Sequence, residues 1–239
     1  MNKFKYLLFD LDGTLLHFNM KQFIDHYLNL IVSHFTDIKE PRRIPEFILQ
    51  GTNLMLHNNG VRLNADIFLE YFSEQVKLPA ERVWQRFLHF YQTDFRSLGE
   101  LTEVVPQARI ILAAALSRKY NLVLATQPVF PLVAIRQRLV WAGLDDIPFK
   151  LITHIENMHA CKPSVFYFQE ILDYLQTSAG DCLMIGNEAE TDMASRHAGI
   201  RTFYLAEHQQ IIPKIEVNYS GDYHDLGKLL DLAELNSGP

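Results

Sequence analysis

The 239-residue chain reads as an α/β protein, a doubly wound parallel sheet that carries an inserted helical domain. Three observations lead there. From about Pro106 to Leu205 short apolar runs alternate with helical patterns, the signature of right-handed βαβ crossovers, which build a mainly parallel sheet covered on both faces. A separate apolar run, Tyr6-Leu7-Leu8-Phe9, passes directly into Asp10-Leu11-Asp12-Gly13-Thr14, as a buried strand does when it delivers polar groups to a sheet edge. Between these two regions, from about His17 to about Ser97, the sequence is helical in pattern, rich in Phe and Tyr, and lacks convincing buried strands. The expected division is a core of residues 1–16 and 98–239 with a helical unit of residues 17–97 inserted in it.

In the helical unit, Phe23, Tyr27, Leu30 and Ile31 recur at helical spacing, as do Phe68, Tyr71 and Phe72, and then Val83, Phe87, Phe90 and Tyr91. Such stripes pack several amphipathic helices against one another. Pro41, Pro45, Gly51, Asn58-Asn59-Gly60 and Pro79 punctuate them. In the core, Pro106 opens a helix expected to run to about Lys119, followed by a strand at Leu122–Ala125 that ends at Thr126-Gln127-Pro128. A helix from about Pro131 to Trp141 stops at Gly143, and a strand is expected near Lys150 to Thr153. Lys162-Pro163 opens a third helix, with Val165, Phe168, Leu172 and Leu175 on one face and Pro163 in the first turn. Cys182–Ile185 is a strand ended by Gly186-Asn187-Glu188. A helix from about Thr191 to Ala198 follows, capped by Gly199, then a strand at Arg201–Leu205. Leu226, Leu229, Leu230 and Ala233 read as a terminal amphipathic helix.

Composition narrows the classes of function. Hydrophobic residues at 48% and charged residues at 21% are ordinary globular values. A net charge of -6 gives no long-range attraction for phosphate backbones, so nucleic acid is not an expected partner. Cys161 and Cys182 are too few for a disulfide framework and read as free thiols in a reducing compartment. The basic start is followed by an apolar run that is very short and ends in Asp10, which suits a strand rather than an export signal. No apolar run approaches a membrane span. A soluble, cytoplasmic protein is expected.

The strand ends share one edge of an open α/β sheet. Asp10, Asp12, Thr126 and Asn187 lie just past predicted strands and Lys162 in a loop-to-helix turn, so residues scattered along the chain should converge there. Asp10 and Asp12 would repel each other there unless a cation neutralises them, and a bound metal ion is the simplest remedy.

These residues in this order resemble the four motifs of the haloacid dehalogenase superfamily: Asp10-Leu11-Asp12-Gly13-Thr14, Thr126, Lys162-Pro163, and Gly186-Asn187-Glu188-Ala189-Glu190-Thr191-Asp192 with Ala198-Gly199 behind it. The resemblance covers the whole Rossmann-like core, and the insertion looks like the superfamily's first type of cap domain. It implies a phosphatase acting on a small phosphorylated metabolite, with Asp10 as nucleophile and Asp12 as general acid and base. It implies Mg2+ held by the Asp10 side chain, the Asp12 main-chain carbonyl and position 187, with Asp192 supporting the site from behind. Thr126, the amide of Gln127 and Lys162 would bind phosphate.

Two positions depart from the family pattern. Asn187 stands where Asp is usual, which removes a negative charge from the metal site, and Gln127 stands where Asn is common. Asp12 with Gly13-Thr14 disfavours carbon–halogen cleavage. A sugar phosphomutase and a binding or regulatory protein with weak or no turnover remain as alternatives, the latter on the strength of Asn187. Arg42, Arg43, Asn53, His57, Asn58 and Arg62 are candidates for substrate selection by residue type only, and His17 is expected at the hinge or mouth. Cys161 is expected as apolar filler.

Overall fold

The computed structural model describes residues 3–206 and 216–232. In chain order it runs β1 (Tyr6–Phe9), β2 (Leu16–Phe18), α1 (Met20–Ile31), α2 (Ile44–Leu56), α3 (Asn64–Val76), α4 (Ala80–Gln92), β3 (Thr102–Val104), α5 (Pro106–Ser117), β4 (Asn121–Leu124), α6 (Leu132–Trp141), β5 (Leu151–Ile152), α7 (Val165–Leu175), β6 (Cys182–Gly186), β7 (Arg201–Leu205), β8 (Tyr219–Gly221) and α8 (Tyr223–Leu229). Six strands form one parallel sheet in the order β5-β4-β1-β6-β7-β8. This is the expected α/β doubly wound, Rossmann-like sheet.

The apolar runs fold as central strands because both faces of the sheet are covered. Alternation divides β1 cleanly: Leu7 and Phe9 enter one cluster with α5 residues Ile111 and Leu112, while Leu8 enters the other with α7 residues Phe168 and Ile171. Register then fixes the site. Phe9 stands level with Leu124 on one side and Ile185 on the other. The next rung is made by the Asp10 amide donating to the Ile185 carbonyl at 2.9 Å and the Ala125 amide donating to the Phe9 carbonyl at 2.8 Å. Asp10, Thr126 and Asn187 therefore leave three adjacent strands at one edge.

Helices α1 to α4 pack around aromatic rings, among them Phe35, Phe72, Phe87 and Phe90, all buried. Full burial of one such ring stabilises by about 1.5–3 kcal/mol. The same cluster continues across to Ala134, Ile155 and Cys161 on the sheet side, so the two parts share packing. A polar strap adds to it. The Asn64 side chain, fully buried at the start of α3, donates to the carbonyls of Pro128 at 3.2 Å and Ala160 at 3.3 Å and accepts from Asn58 at 2.8 Å. The Asn64 and Ala65 amides donate to the Met158 and Ile155 carbonyls.

Several elements differ from the sequence expectation. Strands β2 and β3 form an antiparallel ribbon at the root of the helical unit; at three residues each they are too short to show a period. The third core helix starts at Val165, with Ser164 as its N-cap, so Pro163 precedes the helix and is not in its first turn. The segment expected as a helix from Thr191 is a 3-10 helix over Met193–Ala198, closed by Gly199 in the left-handed region. Strand β8 has no counterpart in the sequence reading. The terminal helix covers Tyr223–Leu229, and Ala233 lies outside the described residues. No described helix is long and apolar enough to cross a membrane.

Candidate active site

Lys162 is the buried centre of the edge. Its Nζ donates to Asp10 Oδ1 and to Asp192 Oδ1, each at 2.6 Å, and its side chain is 2% exposed. Burial alone would strip the charge from this ammonium, but Asp10 and Asp192 outweigh it and hold the lysine above its usual range. Asp192 is pushed up by burial and by Asp10, against the pull of Lys162. Its other oxygen accepts from the Glu188 amide at 3.0 Å. Gly186 makes that approach possible, since a Cβ there would collide with the Asp192 carboxylate.

Gln127 positions the lysine rather than offering its side chain to a ligand. Its amide oxygen accepts from the Lys162 N–H at 2.9 Å and its amide nitrogen donates to the Lys162 carbonyl at 3.0 Å. Thr126 is buried at the end of β4, and its carbonyl accepts from Thr153 Oγ1 at 2.7 Å and from the Tyr167 hydroxyl at 2.9 Å. Those two bonds fix where the chain turns away from the sheet.

In the first loop, Gly13 has φ +76, the left-handed region that favours glycine, and a Cβ there would strike the Asn187 side chain. The Thr14 hydroxyl donates to Asn187 Oδ1 at 3.2 Å. The Asn187 amide is thus pressed against the loop that carries Asp10 and Asp12. Oxygens of Asp10, Asp12 and Asn187 could hold a hard cation. The set supplies one carboxylate and two neutral oxygens, which fits Mg2+, an ion that takes one or two carboxylates and completes its shell with water and phosphate. It does not fit a thiolate- or imidazole-binding metal, and no group of three or more His, Cys, Asp or Glu among the described residues could hold one.

Sequence reasoning missed Arg138. It lies on α6, 1% exposed, with its guanidinium against Asp12 Oδ1. Phe18 and Phe130 flank it, with ring centroids 5.6 and 5.3 Å away. Burial lowers its proton affinity to about 10 against the attraction of Asp10, so it remains a cation at neutral pH. Arg138 Nε has no hydrogen-bond partner. A signal existed: Arg138 falls three and four residues after Ile135 and Ala134, on the buried stripe of its helix. Two cations, Lys162 and Arg138, thus face three carboxylates, Asp10, Asp12 and Asp192.

The other residues singled out from sequence lie apart. Arg43 pairs with Glu40 and Glu46, Arg62 with Glu70, and the His57 ring contacts the Asn53 carbonyl. Asn58 belongs to the strap. Thr52 and Leu56 of α2 instead line the cavity beside Asp12. His17 sits in β2, opposite Glu103. Cys161 is buried with its thiol pushed up to about 12 by burial, which leaves it protonated and inert.

The sequence model of the haloacid dehalogenase-like hydrolases matches residues 7–205. The chain belongs to that family. Among solved structures, a HAD phosphatase from Thermococcus onnurineus is 17% identical, with TM-score 0.58 over 95% of this chain and 98% of its own. YfnB from Bacillus subtilis, determined bound to magnesium, is 21% identical, with TM-score 0.56 over 96% and 99%. L-2-haloacid dehalogenase from Xanthobacter autotrophicus is 13% identical, with TM-score 0.56 over 95% and 98%. These likenesses are of fold, and they span two chemistries. No curated protein matches the sequence.

Proposed function

We propose that the chain is a Mg2+-dependent phosphatase that hydrolyses a small phosphorylated metabolite through an aspartyl-phosphate on Asp10. The observation that carries this reading is the unlike pair of carboxylates on one loop: Asp10, buried and held by Lys162, and Asp12, 21% exposed and lining the cavity under the helical unit. Cleavage of a carbon–halogen bond needs a nucleophile but no second carboxylate to serve a leaving oxygen.

In the first step an Asp10 oxygen attacks phosphorus. The bond to the leaving oxygen breaks with its electron pair, and that oxygen takes a proton from Asp12. Lys162 offsets charge on the phosphoryl oxygens, while the Thr126 hydroxyl and the Gln127 N–H donate to them. In the second step water gives a proton to Asp12 as it attacks phosphorus, freeing Asp10 and inorganic phosphate. Mg2+ held by the Asp10 carboxylate, the Asp12 main-chain carbonyl and the Asn187 amide oxygen would supply the positive charge that lets carboxylate and phosphate approach. Asp192 keeps Lys162 in place. The helical unit is assigned as residues 17–97, a cap that excludes water over a core of 1–16 and 98–239. A cytoplasmic location is part of the proposal, supported by Cys161 and Cys182 both being free thiols.

The test is hydrolysis of an aryl phosphate with Mg2+, repeated with Asp10→Asn. The substitution should lower turnover on the order of a thousandfold or more; activity that survives it belongs to another site. A second reading, a binding or regulatory protein with weak or no turnover, is favoured by the guanidinium of Arg138 against Asp12, which must release or share that carboxylate for proton transfer. Failure to hydrolyse any phosphate, with phosphate still bound, selects it.

A further inference from the structure

Asp12 lines a partly open cavity of about 230 Å3 bounded by the first loop, β2, α1, α2, the loop after β4, and α6. In the reaction proposed above, the group that departs with the ester oxygen must lie on the Asp12 side of the phosphorus. The lining of this cavity therefore meets the leaving group. Its walls are mostly hydrocarbon: Phe18, Phe23, Ile24, Leu56, Val129 and Phe130.

The polar groups in the lining are few: Asp12, Arg138, Gln127 and Thr52. Asp12 and Arg138 are ion-paired, but Arg138 Nε has no hydrogen-bond partner. Both ends of the Gln127 amide are used on the main chain of Lys162. Thr52 supplies the one hydroxyl. A second cavity of about 100 Å3 borders the first, sharing Ile24, Thr52, Val129 and Phe130; Tyr27 and Tyr91 also line it, and their hydroxyls are paired with each other at 2.9 Å.

We infer that the substrate is the phosphate monoester of a compact apolar alcohol, aryl-methyl or short branched alkyl, bearing at most two further polar groups, which Thr52 and the Arg138 Nε–H would meet. This rests on the phosphatase reading and narrows it. The volume suits such a group, since an apolar cavity of about 150 Å3 accommodates benzene. The lining discriminates against sugars, because each buried hydroxyl left without a partner costs about tenfold or more in affinity, whereas each buried methylene gains about fourfold. A hexose phosphate would bring more hydroxyls than Thr52 and Arg138 Nε can satisfy.

The experiment compares benzyl phosphate, ethyl phosphate and glucose 6-phosphate, all esters of primary alcohols, so that differences report the pocket. Benzyl phosphate should exceed both others in kcat/KM by at least about tenfold. Leu56→Trp, at a partly exposed position on the cavity wall, should lower the benzyl-to-ethyl ratio at least about fivefold by filling the space; Ile24→Trp on the opposite helix provides a second variant. Glucose 6-phosphate turned over as well as benzyl phosphate, with the activity removed by Asp10→Asn, would overturn this inference and leave the phosphatase reading standing. Should no ester be hydrolysed, that reading fails, and calorimetry with benzylphosphonate and methylphosphonate decides the pocket. At least about tenfold tighter binding of the benzyl compound, reduced by Leu56→Trp, upholds an apolar site. Equal binding of the two refutes it.

Discussion

The sheet edge and the helical unit meet across one cavity, yet they are made of opposite materials. At the edge, five charged side chains are packed together, Lys162, Asp10, Asp192 and Arg138 buried and Asp12 partly so. Across from them, α1 to α4 present mainly rings and aliphatic groups, with a few buried polar groups such as the hydroxyls of Tyr27 and Tyr91, paired at 2.9 Å, and the Asn64 side chain. Buried charges are costly unless each is paired, so the edge tolerates almost no substitution and holds one geometry. Hydrocarbon packing tolerates exchange of shape, so the facing wall is the part that can be altered to suit a different leaving group. On the proposed phosphatase reading, chemistry and selectivity would rest on different physics on the two sides of the same space.

The largest effects should come from comparing one residue of each kind. Lys162→Met leaves Asp10 and Asp192 facing each other without a cation and should cost about 3–5 kcal/mol of stability together with turnover. Phe72→Ala in the helical unit should cost a similar ~3–5 kcal/mol through a cavity, yet leave turnover per folded molecule close to wild type. Chemical denaturation paired with assays of the folded fraction checks both; equal loss of turnover in the two variants would break the division. Next comes the strap between the parts. Asn64→Ala removes the donor to the Pro128 and Ala160 carbonyls and leaves the Asn58 amide nitrogen with the Arg62 carbonyl alone, and should cost about 1–3 kcal/mol. Faster amide exchange at residues 58–65 would locate that loss at the strap.

A smaller effect sharpens the account of the edge. Asn187→Asp adds a second charged donor beside Asp10, and should tighten Mg2+ binding about tenfold in a titration. Unchanged affinity would remove residue 187 from the metal site. The smallest effect concerns Cys161, at the seam of the two regions. Burial raises its thiol from 9.0 to about 12. A group that holds its proton more tightly when folded adds stability below the unfolded value, and loses that contribution as pH rises from about 9 toward about 12. Unfolding midpoints of Cys161→Ala should decline less steeply across that window than those of wild type, and thiol reagents at pH 8 should label Cys161 only after unfolding.

Much of the edge was legible in the sequence because its residues sit at strand ends, where apolar runs stop abruptly. Asp10, Asp12, Thr126 and Asn187 are in that position, Lys162 and Asp192 lie in the segments that lead from strand ends into helices, and the parallel sheet brings these loops to one side. Arg138 was not, because a charge on the buried stripe of an amphipathic helix declares itself only once the buried face is known. The ribbon of β2 and β3 and the 3-10 turn after Asp192 were missed for a related reason, being shorter than the periods by which such elements are read.

Local order along the chain therefore determined the strands, the aromatic helices and the family motifs, since each depends on spacing between near neighbours. Only the tertiary structure decided that Gln127 grips the main chain of Lys162, that Arg138 lies against Asp12, and that the wall facing the first loop is hydrocarbon. Those facts depend on which side chains from distant segments share a volume, and that is set by packing after the sheet has formed.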